Sequence, residues 1–112
     1  MRRPSSVLLV LVVACAADEP TPPAAPTALA VSLLGAGAHL TWQDNATNED
    51  EFVIMRQKMG ADAAMVELAR VPFDTATYHD EPITSGATYL YMVTATNVAG
   101  DTSSNQATFV AP

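Results

Sequence analysis

Apolar and polar residues alternate with a period of two along most of the chain after Pro26, the pattern of strands buried on one face. TALAVSL sets Leu29, Val31 and Leu33 on one side, and AHLTWQ sets Leu40 beside Trp42. In EFVIMRQK, Phe52 and Ile54 share one face while Val53 and Met55 share the other. MVELARV is a weaker strand with Val66 and Leu68 in phase, and TATYHD is a short one centred on Tyr78. TYLYMVTA aligns Tyr89, Tyr91, Val93 and Ala95, and QATFVA offers Ala107 and Phe109. Turn formers divide these runs: Gly35 and Gly37, Asp44-Asn45, Gly60, Pro72, Ser85-Gly86 and Gly100-Asp101. Seven short strands, each able to bury a single face, predict an all-β fold of two packed antiparallel sheets. The predicted core is Trp42, Phe52, Ile54, Tyr89, Tyr91 and Val93.

A set of residues in a particular order sharpens this expectation. Pro26 and Leu29 stand at the entry, LTW carries Trp42, and NEDEFVIMR carries Phe52, Ile54 and Arg56. TATYHD follows with Tyr78 and Asp80. ITSGATYLYMVTATNVAGDTS then spaces Ile83, Gly86, Tyr89, Tyr91, Val93, Ala95, Asn97 and Gly100. With these residues, the stretch from Pro26 to Val110 resembles a fibronectin type III domain of the form common in bacterial exported proteins. Ser85 stands where proline is common in that family, and Ala87 where threonine is. The resemblance implies a seven-stranded antiparallel immunoglobulin-like sandwich whose third and sixth strands lie side by side. It also implies that Tyr89 is a tyrosine-corner residue, its hydroxyl bonded to backbone near the preceding turn. Trp42 without a cysteine pair separates the chain from disulfide-bearing immunoglobulin domains.

The first fifteen residues, MRRPSSVLLVLVVAC, read differently. Arg2 and Arg3 precede an apolar run from Val7 to Ala14. As a helix this run would span about 12 Å, against a hydrocarbon core of roughly 30 Å, so an export signal is expected and not a membrane span. Val12-Val13-Ala14-Cys15 resembles a bacterial lipoprotein signal, with valine where leucine is usual. That resemblance implies a diacylglyceryl thioether on Cys15, which becomes the acylated N-terminus and anchors the chain to the cell membrane or outer membrane. Ala14-Cys15-Ala16 also fits an ordinary small-x-small cleavage site, which would release a secreted protein. AADEPTPPAAP, with Pro20, Pro22, Pro23 and Pro26, reads as a stiff extended tether of roughly 30 Å. The expected organisation is a signal segment over 1–15, a Pro/Ala-rich tether over 16–25 and the fibronectin type III domain over 26–112.

Composition narrows the function. The net charge is −7, and without Arg2 and Arg3 three basic residues face twelve acidic ones, a net of −9. Such a body repels phosphate backbones, so no nucleic-acid partner is expected. Cys15 is the single cysteine, which leaves stability to the core. His39 and His79 are the only imidazoles. His79 adjoins Asp80, but neighbouring strand residues point to opposite faces and do not converge as a base and its orienter. No G-x-S-x-G nucleophile motif and no cofactor motif occur. NATNEDE places Asp44, Asn48, Glu49, Asp50 and Glu51 in one loop without the ligand spacing and central glycine of a calcium loop. A solvated loop is expected, with weak calcium binding by Asp44 to Glu51 as the alternative.

A non-catalytic interaction or spacer module follows, lipid-anchored in the cell envelope and binding an envelope or extracellular protein. The alternative is a secreted accessory module that binds a glycan or an envelope enzyme. Six of the seven aromatics belong to the predicted core, leaving Phe73, which is little for a sugar platform. If Phe52, Ile54, Tyr89, Tyr91 and Val93 point inward, then Val53, Met55, Leu90 and Met92 point outward. On adjacent third and sixth strands these four form the candidate partner surface, with Arg56 and Gln57 as its polar edge. Long neighbouring side chains that cover them are the competing expectation.

Overall fold

The computed structural model describes residues 19–112. The signal segment 1–15, Cys15 and the first part of the expected tether, 16–18, lie outside the described residues. Eight strands follow in chain order: β1 Thr27–Leu34, β2 Gly37–Gln43, β3 Glu51–Lys58, β4 Val66–Pro72, β5 Thr77–Asp80, β6 Thr88–Asn97, β7 Gly100–Ser103 and β8 Ala107–Val110. One sheet has the order β1-β2-β5. The other runs β4-β3-β6-β7, with β8 also paired to β6, and every pairing is antiparallel. No helix among the described residues is long and apolar enough to cross a membrane.

The period-two pattern becomes the core directly. Leu29, Ala38, Leu40 and Trp42 come from the smaller sheet and meet Phe52, Ile54, Tyr89, Tyr91, Val93, Ala95 and Phe109 from the larger one. Trp42 packs edge-on to Phe52 with ring centroids 5.7 Å apart. The Tyr89 hydroxyl accepts a hydrogen bond from the Thr84 N–H at 2.8 Å, closing the corner ahead of β6. Gly37 is required by close approach: a Cβ there would lie 2.7 Å from the Asp80 carbonyl oxygen on β5. Leu33 and Val66, in phase with the core by sequence, are half exposed because each lies toward a strand end at the edge of its sheet.

Three features depart from the sequence-based picture. The seventh strand is in two pieces. β7 pairs with Thr94–Asn97 and β8 with Thr88–Tyr91, and Ser104 bridges the gap by accepting the Val93 N–H on its hydroxyl. Gly100–Ser103 carries no apolar alternation, so period-two reading takes it for a turn. The tether boundary also moves. Asn48 and Asn97 side chains both donate to the Thr21 carbonyl, Thr102 donates to that of Pro23, and Asn45 to that of Ala25. Residues 21–25 are therefore part of the domain rather than a free spacer; an extended proline-containing segment leaves backbone carbonyls without internal partners, and three asparagines and Thr102 supply the donors.

The third departure is Arg56. It shares the inward parity of Phe52 and Ile54, so it cannot edge the outer face. Its guanidinium lies 2.9 Å from Asp80 on the opposite sheet and 5.4 Å from the centroid of the Tyr89 ring. Tyr91 donates its hydroxyl to the same Asp80 carboxylate at 2.6 Å. Burial, then that hydrogen bond and the Asp80 charge, raises the Tyr91 hydroxyl well above its ordinary pKa.

Three outcomes check this core. Trp42→Ala is expected to cost about 3–5 kcal/mol as a large-to-small core change, and Tyr89→Phe about 1–3 kcal/mol by orphaning the Thr84 N–H, both read by urea melts. Tyr91 is raised in the folded state, so its contribution is fully present below its unfolded pKa of about 10 and is lost as pH rises toward the folded value. Stability of the parent should therefore fall above about pH 10, and Tyr91→Phe should flatten part of that slope.

Candidate functional site

The outward residues of β3 and β6 form a grid set by strand register. In one cross-strand row Arg70 of β4, Val53, Thr94 and Ser103 of β7 stand side by side. In the next, Glu67, Met55 and Met92 are neighbours. A third places Gln57 beside Leu90 and Thr108. The first two rows, with Asp101, line an open concavity of about 330 Å³. The register thus brings Val53, Met55 and Met92 together and sets Leu90 one row away, outside the concavity.

The apolar centre is smaller than the sequence suggests. Val53 is only 8% exposed, whereas Met55, Leu90 and Met92 are half-buried. Val53 lies between Arg70 and Thr94 in its row, and its short side chain does not reach past the much longer arginine. Arg70 is held over this edge by two hydrogen bonds to Glu67, each 3.0 Å, and one to Glu51 at 2.6 Å. Those hydrogen bonds raise the Arg70 guanidinium, and the one from Arg70 lowers Glu67. On the far side Thr94 and Ser103 share a hydroxyl hydrogen bond of 2.8 Å. The result is two adjacent methionines between an ordered Arg–Glu pair and a row of hydroxyls. Strand parity would have put Glu67 and Arg70, three residues apart, on opposite faces; the register shift opposite Ile54 and Met55 brings both to this one.

The acidic loop divides. Asn48 is spent on Thr21, and Glu51 on Arg70. Asp44 and Glu49 converge, and Asp74 from the β4–β5 connection joins them, with carboxylate oxygens all within 4.8 Å of one another. Asp74 has no sequence proximity to the loop, and only the shared end of the sandwich brings it there. Its N–H donates to Glu49 Oε2 at 3.2 Å. Desolvation raises the Asp44 carboxyl, opposed by the hydrogen bond from the Ala46 N–H and reinforced by Glu49 and Asp74.

The histidines sit apart from all of this. His39 and His79 are register partners with ring centroids 6.1 Å apart, on the outer face of the smaller sheet. Asp80 is turned inward to Arg56 while His79 stays exposed beside Glu81, so the two do not meet.

No protein-family model matches the chain, and no curated protein matches it in sequence. Solved structures do share its fold. An Fn3-like protein from Clostridium thermocellum is 27% identical with a TM-score of 0.65, over 80% of this chain and 94% of that one. The FN3 domain of human collagen XX is 19% identical with a TM-score of 0.64, over 82% of this chain and 97% of that one. Pectate lyase PelI from Erwinia chrysanthemi, solved with tetragalacturonic acid, is 22% identical with a TM-score of 0.67, over 76% of this chain but 28% of that one. The fold is that of a fibronectin type III-like β-sandwich.

The unequal burial of the face has a measurable consequence. Val53→Lys should cost about 1–3 kcal/mol in a urea melt, since it forces a charge into a covered position. Met55→Lys combined with Met92→Glu, an opposite-charge cross-strand pair, should stay within about 0.5 kcal/mol of the parent.

Proposed function

We propose that this chain is a non-catalytic, lipid-anchored module of the cell envelope that presents the β3–β6 face to another protein. The observation that carries the reading is the Met55–Met92 pair, set between the Glu67–Arg70 pair and the Thr94–Ser103 hydroxyls. Methionine adapts to a partner's shape, and a fixed charged and hydroxylated rim supplies direction. A fibronectin type III-like fold fits a binding or spacer role. A glycan ligand is less well served: Phe73 is the exposed residue among the described Phe, Tyr and Trp side chains, and it does not lie on this face.

The anchor rests on Cys15 closing the apolar run after Arg2 and Arg3. With residues 21–25 docked, about five residues separate Cys15 from the domain, a reach of roughly 15 Å for an extended chain. The domain then stands close to the surface that holds it.

One experiment on intact cells tests both parts. A photo-crosslinking residue replaces Met92, and the purified adduct is examined by mass spectrometry. A discrete protein adduct that Met55→Lys abolishes, on a chain starting at acylated Cys15, is the expected result. The same adduct from a crosslinker at His79 on the other sheet would refute the face, and a free N-terminus at Ala17 in the medium would refute the anchor.

A further inference from the structure

Glu49 poses an unsolved problem within the acidic end of the sandwich. It is a carboxylate only 6% exposed. One oxygen, Oε2, accepts the Asp74 N–H, but Oε1 is buried without a hydrogen-bond partner. A buried carboxylate with an empty-handed oxygen is costly, and the cost is usually met by a bound water or ion. Glu49 also has the Asp44 and Asp74 carboxylates as neighbours, with oxygens within 4.8 Å. Like charges at that separation repel unless something positive stands between them.

We infer that Asp44, Glu49 and Asp74 form a binding site for one divalent cation, with calcium the preferred ion. The spacing agrees: two oxygens that each bind calcium at about 2.4 Å can be at most about 4.8 Å apart. The donors are all oxygens, which suits a hard cation and not zinc. Asp74 is exposed and Asp44 half-exposed, so water completes the six to eight ligands that calcium takes. Magnesium demands a tighter octahedron, which oxygens on two separate loops supply less readily. The loops in question are the β2–β3 and β4–β5 connections, and each passes from one sheet to the other. A bound ion would therefore clamp both crossovers at one end of the sandwich, where the 3.2 Å bond from the Asp74 N–H to Glu49 already joins them. This site is separate from the β3–β6 face, and it stands whether or not that face binds a protein.

Equilibrium dialysis of the full chain against CaCl2, at constant ionic strength set with NaCl, tests the site. One ion per chain with a dissociation constant on the order of 10⁻⁴–10⁻³ M is expected, the range of extracellular calcium modules. Asp74→Asn, a change at an exposed position, should weaken binding by about ten-fold or more and abolish the calcium-dependent rise in melting temperature. In chelator the same variant should melt no lower than the parent, because it removes a like charge. Absence of saturable binding to about 10 mM, well above that range, overturns the site. Unchanged affinity in Asp74→Asn overturns it as well, and equal affinity for MgCl2 overturns the choice of calcium.

Discussion

Asp80 is the point where the two sheets are joined by charge. It leaves β5 in the smaller sheet and receives Arg56 and Tyr91 from β3 and β6 in the larger one. The contacts around it between the sheets are mainly apolar, with Asn105, between β7 and β8, adding a second polar link to the N–H and carbonyl of Leu29 on β1. A buried ion pair of this kind adds little net stability, because both partners lose water. Its effect is on alternatives: a slip of β5 by one residue would strand Arg56 and Tyr91 without an acceptor and turn His79 inward. The cost of breaking such a pair, several kcal/mol, therefore falls on wrong registers and not on the native one. Tyr89, stacked on Tyr91 with its own hydroxyl tied to Thr84, extends the same fixed arrangement to the corner before β6.

This internal polar network also explains the character of the outer face. Because Arg56 is committed inward, β3 presents Val53, Met55 and Gln57 outward, and among the described residues the cation lining the concavity with the methionines is Arg70 on the edge strand. Arg70 in turn is committed to Glu67 and Glu51. An exposed ion pair is worth little to stability, but two of them on one guanidinium give the edge strand a definite shape beside the Met55–Met92 pair. Three groups of charges thus have separate tasks: Arg56 and Asp80 inside select the register, Glu51, Glu67 and Arg70 at the edge frame a surface, and Asp44, Glu49 and Asp74 gather on the crossover loops.

Much of this was legible from residue order. The alternation in TYLYMVTA and EFVIMRQK located β6 and β3, their inward aromatics and the Val53–Met55 and Leu90–Met92 sides, because a period of two leaves each side chain one choice of face. The parity of Arg56 was equally legible, yet the habit of placing arginine outside concealed it. What could not be read was anything set by tertiary pairing. β7 has no apolar residue to announce it, and its strand character comes from the free edge of β6. The docking of Thr21 to Ala25 depends on Asn45, Asn48, Asn97 and Thr102, which lie on three separate segments. Asp74 meets Glu49 only because two crossovers share an end, and no spacing in the chain records that. Leu90 was correctly turned outward, but only the register shows it a row apart from Met92's concavity.

The docking of residues 21–25 also determines how the domain carries load. Thr21 sits at the end of the sandwich that holds the β2–β3 and β6–β7 connections, while Ala111 is bonded to Gly86 and Ala87 at the opposite end. Tension between these points runs along β1 and β8, parallel to the strands. Hydrogen bonds perpendicular to the pull are then strained together rather than opened one by one. Before β1 feels any of it, the asparagine and threonine bonds to Thr21, Pro23 and Ala25 must give way, so the segment acts as a short fuse ahead of a shear-loaded spring.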